Sequence, residues 1–510
     1  MSRTERATSG FLTSIALTVI ISLSQIMLVP FIISVAGSEI LGAYSFIMQL
    51  LGIGILLDLG LTVALSRFLS QSYENERITL DFLQFFEIGK WLLFITNTFT
   101  GSVLLILGYY LELILDAETN LLASGQLCLY ILGIWYLVRT PLQIYIIATI
   151  STQNMSKSNL FLIIANLLRI LLVVVFLAYG YGLEGMVAGY IFAEFIGMLL
   201  HRKWFRKKFE IISKTNRSLN KAKMSDLFSI GFKYWGVNLA QIFGSSSDSL
   251  IVGKLLGPKY IAMVYLTKMP ALIGTQLIYK ISDNAAPAFN EIFANGCKQD
   301  SYQKLCKVLK ITAIFTFPFA LGVTIFTDNV LEIWVGRDQY VGIFFATCLG
   351  WIVVTQSLNH VYSMALLATG NMRGWAKVTA VSAIVTFLCA YFLVKMCGFE
   401  WILVPPVITE SCICAWLFMR NCQFFSIDKR VFFKESLNLP LLVSLALVFP
   451  FFIVDSVQTG SIPISIISFV GLSMLWSICT FYLCLDHDER LRVVMAITNK
   501  IQLFKNSRPR

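Results

Sequence analysis

The sequence predicts an all-α, polytopic membrane protein of about fourteen transmembrane helices. Three observations predict it: a composition starved of charge, a succession of apolar runs long enough to span a bilayer, and basic residues gathered on one side of those runs. Of 510 residues, 57% are hydrophobic and only 14% are charged, where a soluble domain carries about 25% charged residues. That balance excludes a soluble enzyme and a disordered chain. The 11 cysteines are odd in number, scattered, and mostly inside apolar runs, with no C-x2-C pair and only three histidines, His201, His360 and His487. A disulfide framework and a zinc site are therefore not expected, and the cysteines read as small packing residues.

A helix crosses the hydrocarbon core with about 20 residues. Runs of this kind fall at 11–35, 40–65, 88–110, 122–150, 158–180 and 183–200, then at 227–253, 260–282, 308–333, 340–368, 377–396 and 400–419, and finally at 437–454 and 464–485. The first, Phe11 to Val35, is far longer than the core of a cleavable signal, which has about 7–15 residues. It reads as a retained span. With the N-terminus in the cytoplasm, the cytoplasmic segments hold 31 of the 40 Lys and Arg residues, the outer connections hold four (Lys254, Lys259, Arg337, Lys395), and five lie within spans. This is a positive-inside pattern, and it places both termini in the cytoplasm. The net charge of +11 is then a topology signal and no sign of nucleic acid. The basic segment between His201 and Met224 reads as an anchor held by anionic lipid, at about 1 kcal/mol per basic residue.

The chain also repeats itself. Tyr145, Ala148, Thr152, Asn154 and Met155 recur at one constant offset as Tyr362, Ala365, Thr369, Asn371 and Met372. Gly182, Glu184 and Glu194 recur as Gly398, Glu400 and Glu410, at an offset shorter by a single position. Six spans separate the copies, so the repeat is parallel, with an axis along the membrane normal. The expected organisation is an N-lobe at 1–200, a basic cytoplasmic linker at 201–226, a C-lobe at 227–420, and two extra spans with a cytoplasmic tail at 421–510.

A charge at mid-bilayer costs about 2.5–3.5 kcal/mol even on the most lenient scale, so each one needs a partner or a water-filled cavity. Arg139, Arg169, Lys233, Lys268 and Lys280 are the intramembrane cations, and Asp58, Glu194, Asp248 and Glu410 the carboxylates. Arg169 and Glu194 each fall near mid-span. They could pair structurally with each other, or several of these charges could line one cavity. A slight cationic surplus suits an anionic head group such as phosphate, which Arg binds by its planar fork and Lys as a point charge. Glu194, Glu410, Asp248 and Asp58 are the candidates for ion coupling, because a buried carboxylate takes up a proton more readily than an exposed one. No Walker A, G-x-S-x-G, H-E-x-x-H or Rossmann pattern is present, so no catalytic residue, metal or cofactor is expected beyond a coupling H+ or Na+.

Four stretches carry a family resemblance: Leu57-Asp58-Leu59-Gly60-Leu61 running on to Phe68, Ser247-Asp248-Ser249 running on to Pro258, Ala368-Thr369-Gly370-Asn371-Met372-Arg373, and Gly180-Tyr181-Gly182-Leu183-Glu184-Gly185. The chain resembles the O-antigen type polysaccharide flippases of the multidrug/oligosaccharidyl-lipid/polysaccharide exporter superfamily. The resemblance implies two six-helix lobes around a V-shaped cavity, two extra C-terminal helices, and alternating access. It implies an undecaprenyl-diphosphate-linked oligosaccharide as cargo, the bacterial inner membrane as location, a monomer as the working unit, and polymerase or assembly proteins as partners. It also implies that the cationic cavity holds the sugar diphosphate. The alternatives are a cation-coupled multidrug exporter and a membrane polymerase or glycosyltransferase. The drug-exporting branch carries a carboxylate in its first span, and 11–35 has none. The enzymes need a large loop bearing carboxylates or arginines, and none occurs here.

Overall fold

The computed structural model describes residues 3–58, 60–74, 77–209, 223–228, 231, 248–294, 298–369, 374–442, 471 and 482. Helices account for nearly all of it. The first is α1 (Arg3–Ala36), followed by α2 (Ser38–Leu57), α3 (Leu61–Gln71), α4 (Leu80–Tyr109), a single turn α5 (Leu111–Ile114), α6 (Thr119–Ser151), α7 (Met155–Ala178) and α8 (Gly182–Phe209). Beyond a helical stretch at 248–255 come α9 (Pro258–Ala294), α10 (Lys298–Trp334), α11 (Ile343–Thr369), α12 (Trp375–Cys397), α13 (Val404–Phe425) and the short α14 (Lys429–Phe433). A two-residue hairpin, Tyr73–Glu74 with Arg77–Ile78, joins α3 to α4.

Among the described residues, nine helices are long and apolar enough to cross a membrane. The expected spans at 437–454 and 464–485, and most of 227–253, lie outside the described residues. Helix α11 is 27 residues long yet stands outside the nine, because Gln356, Asn359 and His360 dilute its apolar character. The expected span 40–65 is two helices rather than one. Gly60 takes φ 68°, a left-handed value that breaks the helix, and α3 restarts at Leu61. The Asp58 carboxylate accepts the Thr62 backbone N–H at 3.0 Å, satisfying a donor that a new helix leaves open.

The described chain forms two compact units. One comprises residues up to Tyr265 together with Trp375–Ile402, and the other Leu266–Gly374 and the residues from Leu403 onward. In the first unit α4 packs along α6, α7 along α8 and α1, and α6 along α8; in the second, α10 packs along α11, and α11 along α13.

Between helices in a bilayer there is no hydrophobic driving force, so close contact depends on small residues. A Cβ on Gly101 would lie 2.7 Å from the Gly133 carbonyl oxygen, and a Cβ on Gly133 would lie 3.0 Å from that of Gly101. Gly350 is the repeat counterpart of Gly133 and plays the same part in the second unit, where its Cβ would lie 2.8 Å from the Ala320 oxygen of α10. Hydroxyls inside the helices bond back to the preceding turn, as Thr100 does to Thr96 at 2.9 Å and Thr324 to Ala320 at 3.1 Å. Polar residues are thus accommodated without water. Large apolar side chains such as Phe99, Leu171, Ile384 and Met396 face outward, as the walls of a lipid-embedded bundle do.

Candidate functional site

In the first unit the intramembrane charges gather on α6, α7 and α8. Arg139 Nη1 lies 3.1 Å from Glu194 Oε1, and Trp135 Nε1 donates to Glu194 Oε2 at 2.6 Å. The Arg139 guanidinium also lies over the Tyr136 ring, 4.4 Å from its centroid. Glu194 therefore pairs with Arg139, and the pairing of Arg169 with Glu194 considered from the sequence does not occur. Trp135 and Arg139 are four apart on α6, which puts both on one face toward α8.

Arg169 is held differently. Its Nη2 donates to Asn166 Oδ1 at 2.7 Å, and Asn166 Nδ2 donates to Ser24 Oγ of α1 at 3.1 Å. Among the described residues no carboxylate pairs with Arg169. Tyr44 and Tyr265 lie within its electrostatic reach, and Tyr190 connects Tyr44 to the Arg139–Glu194 pair. Both arginines thus share an electrostatic environment that includes phenols. Both guanidinium Nε atoms are buried without a hydrogen-bond partner.

In the second unit Glu410 of α13 meets α11. Asn359 Nδ2 donates to Glu410 Oε2 at 2.8 Å, and Gln356 Nε2 approaches Oε1 at 3.4 Å. Gln356 is the repeat counterpart of Arg139, at the same offset that relates Tyr145 to Tyr362. The two repeats therefore build the same helix pair with different chemistry: carboxylate against guanidinium in the first unit, and carboxylate against two neutral amides in the second.

The other expected positions are more dispersed. Asp58 caps α3 and lies within electrostatic reach of Arg139. Asp248 is buried, and its Oδ1 accepts the Ser249 N–H at 2.8 Å. Lys268 is half-buried on α9. Lys280 approaches Asp283 at 3.4 Å. Lys233 lies outside the described residues. Arg139 and Arg169 belong to the first unit, and Lys268 and Lys280 to the second.

Sequence reasoning passed over the neutral partners Tyr44, Trp135, Tyr136, Tyr190, Gln356 and Asn359, and also Asp283 and His360. The one available signal was the repeat offset, which sets Gln356 opposite Arg139. Among the described residues no cluster of His, Cys, Asp or Glu could hold a metal.

Nine long apolar helices among the described residues, with charged side chains held by polar partners between them, define a multi-pass membrane protein. Comparison with solved structures gives the fold. The chain is similar to the lipid II flippase MurJ in its inward closed conformation, with a TM-score of 0.68 and 13% identity over 92% of this chain and 97% of that one. It is similar to an inward-facing multidrug resistance MATE transporter of the MOP superfamily, with a TM-score of 0.64 and 13% identity over 81% and 94%. It is also similar to a MOP superfamily transporter from Pyrococcus furiosus, with a TM-score of 0.58 and 14% identity over 82% and 95%. A family model described as polysaccharide biosynthesis protein matches residues 93–344. No curated protein matches the sequence. The fold is therefore the one these solved structures share, and it agrees with the resemblance carried by the motifs around Asp58, Asp248 and Asn371.

Proposed function

We propose that the chain is a flippase, not an enzyme. It moves an undecaprenyl-diphosphate-linked oligosaccharide, a repeat unit of O-antigen, capsule or exopolysaccharide, across the bacterial inner membrane by alternating access coupled to an ion gradient. The observation that carries this reading is the environment of Arg169. Its guanidinium lies deep in an apolar helix, takes one neutral partner, has phenols nearby, and pairs with no carboxylate among the described residues. A cation so placed is costly unless a mobile anion offsets it, and a planar donor fork fits a phosphate bidentately. The match to the polysaccharide biosynthesis family over 93–344 supports the glycan side of the reading. Arg139 is the further proposed anion contact in the same unit, and Lys268 and Lys280 of the second unit and Lys233, outside the described residues, are proposed separately as anion contacts. Glu410, held by amides rather than by a cation, is the leading proposed coupling carboxylate, ahead of Glu194, Asp248 and Asp58.

The likeness to MATE transporters supports a second reading, a cation-coupled multidrug exporter. Hydrophobic cations would meet the Arg169 charge, and 11–35 offers no acid to attract them, so the flippase reading is preferred. The test is deletion of the gene in its own cell, with lipid-linked repeat units assayed by leaflet. The expected result is accumulation of complete repeat units on the cytoplasmic face, restored by the wild-type chain. Unchanged lipid-linked glycan together with gained drug sensitivity would replace this reading with the exporter.

A further inference from the structure

The polar face of α11 extends past Glu410's partners. Gln356 and His360 are four residues apart, so they lie on one side of the helix. His360 Nε2 lies 2.9 Å from Asp283 Oδ1 of α9. The other carboxylate oxygen of Asp283 is 3.4 Å from Lys280 Nζ. The Tyr279 ring stacks on the imidazole, with centroids 4.0 Å apart and planes inclined at 15°, and Tyr279 lies within electrostatic reach of Glu410. Helix α9 thus presents Tyr279, Lys280 and Asp283 to this region, and α13 presents Glu410 through the neighbouring Asn359. Among the described residues, no ionisable group of α10 bonds to His360.

We propose that the His360–Asp283 pair is a proton-exchange site connecting Glu410 with water at the C-terminal ends of α9 and α11. The proposal rests on reading Glu410 as the coupling carboxylate. His360 is one turn, about 5.4 Å, beyond Gln356 along α11, so the pair sits nearer that end than Gln356 does. The side chains of His360 and Asp283 are 33% and 45% exposed, and a polar pair open to that extent within a span calls for a water-filled face. Imidazole is the side chain whose unperturbed titration falls near neutral pH. Asp283 meets Lys280 with one oxygen and accepts from Nε2 with the other when that nitrogen carries the proton. The step moves one proton through intervening water: the imidazolium gives up one ring proton to water and water gives one to the Glu410 carboxylate, leaving neutral imidazole and a carboxylic acid, and the reverse phase returns both protons the same way. The counterpart position in the other repeat lacks this chemistry. The counterpart of His360 there is Gln143, which accepts from Asn97 at 2.7 Å and cannot titrate.

The chain has three histidines, so the full-length protein labelled with 13C,15N-histidine in lipid bilayers gives a tractable spectrum. The substitution H360Q, which copies Gln143, assigns the signal. The expected result is that the His360 signals report a change of protonation as the medium is varied from about pH 5 to 8. The midpoint is expected to fall by about one pH unit in D283N, and measurably in E410Q, because each substitution removes a coupled negative charge. A His360 that keeps one protonation state across that range, or a midpoint identical in E410Q and wild type, overturns the exchange site. The titration needs no transported substrate. Wild-type pH dependence of glycan flipping in E410Q overturns the coupling role of Glu410 instead, so the two failures are separable.

Discussion

At the residue scale the contrast between Glu194 and Glu410 is the main result. Both occupy the same place in the repeat, but Glu194 faces a guanidinium and Glu410 faces two amides. Removing one member of a buried ion pair leaves the other uncompensated, at a cost of about 3–5 kcal/mol. Glu194→Gln is accordingly expected to lower thermal stability in detergent, read as a reduced melting temperature, and Arg139→Gln,Glu194→Gln to recover part of it. Glu410→Gln puts an amide among amides. It is expected to cost about 1 kcal/mol or less while abolishing the response of transport to a pH gradient. Equal destabilisation by the two single substitutions would refute the asymmetry. Arg169→Gln removes the charge-assisted donor fork, worth about 1.5–3 kcal/mol, and should reduce flipping at least about tenfold, with Arg169→Lys intermediate. Full activity of Arg169→Gln in the leaflet assay would remove Arg169 from the substrate site.

At the element scale, helix contacts are decided by backbone approach. Gly101→Val places atoms against the Gly133 carbonyl and is expected to cost about 1–3 kcal/mol by overpacking α4 on α6. Around Gly52 no described atom lies within 4 Å of an added Cβ, so Gly52→Ala is expected to stabilise by about 0.4–1 kcal/mol. Melting temperatures of the two variants should move in opposite directions. Asp58 belongs to the same scale. Because it caps α3, Asp58→Ala should cost about 0.5–2 kcal/mol and Asp58→Asn much less. Loss of gradient-driven flipping in Asp58→Asn with unchanged stability would assign Asp58 to ion coupling instead.

At the scale of the whole molecule, the two repeats share helices and differ in charge. The first unit holds Arg139 and Arg169 with their phenols, and the second holds Glu410, Asp283 and His360. The leading proposed roles are anion binding at Arg169 in the first and proton handling at Glu410 in the second. Purified protein in vesicles is expected to stop flipping when a protonophore collapses the pH gradient, and to be indifferent to sodium replacement. Sodium dependence with protonophore resistance would move the coupling to Na+.

The sequence made the fold legible because crossing a bilayer imposes a rule every residue must obey. Each crossing needs about twenty apolar positions, and basic residues collect on one side. Even the correspondence of Glu194 with Glu410 across the repeat could be read from spacing. The site was less legible. Charged residues announce themselves in apolar runs, so Arg139, Arg169 and Glu410 were found, whereas Asn359, Gln356, Tyr44 and Tyr190 look like ordinary composition until helices bring them together. His360 was counted only as one of three histidines, since nothing in the linear chain sets it beside the distant Asp283.

What the sequence alone determined is the membrane class, the helical architecture and the list of costly charges, because these follow from local hydrophobicity and period. What only the tertiary structure decided is which partner each charge meets. Arg139 takes Glu194, Arg169 takes an asparagine, and Glu410 takes two amides. Apart from Asn166, one turn from Arg169, those partners lie on different helices. Their identity depends on the rotation and depth at which the helices pack, which no spacing along the chain encodes.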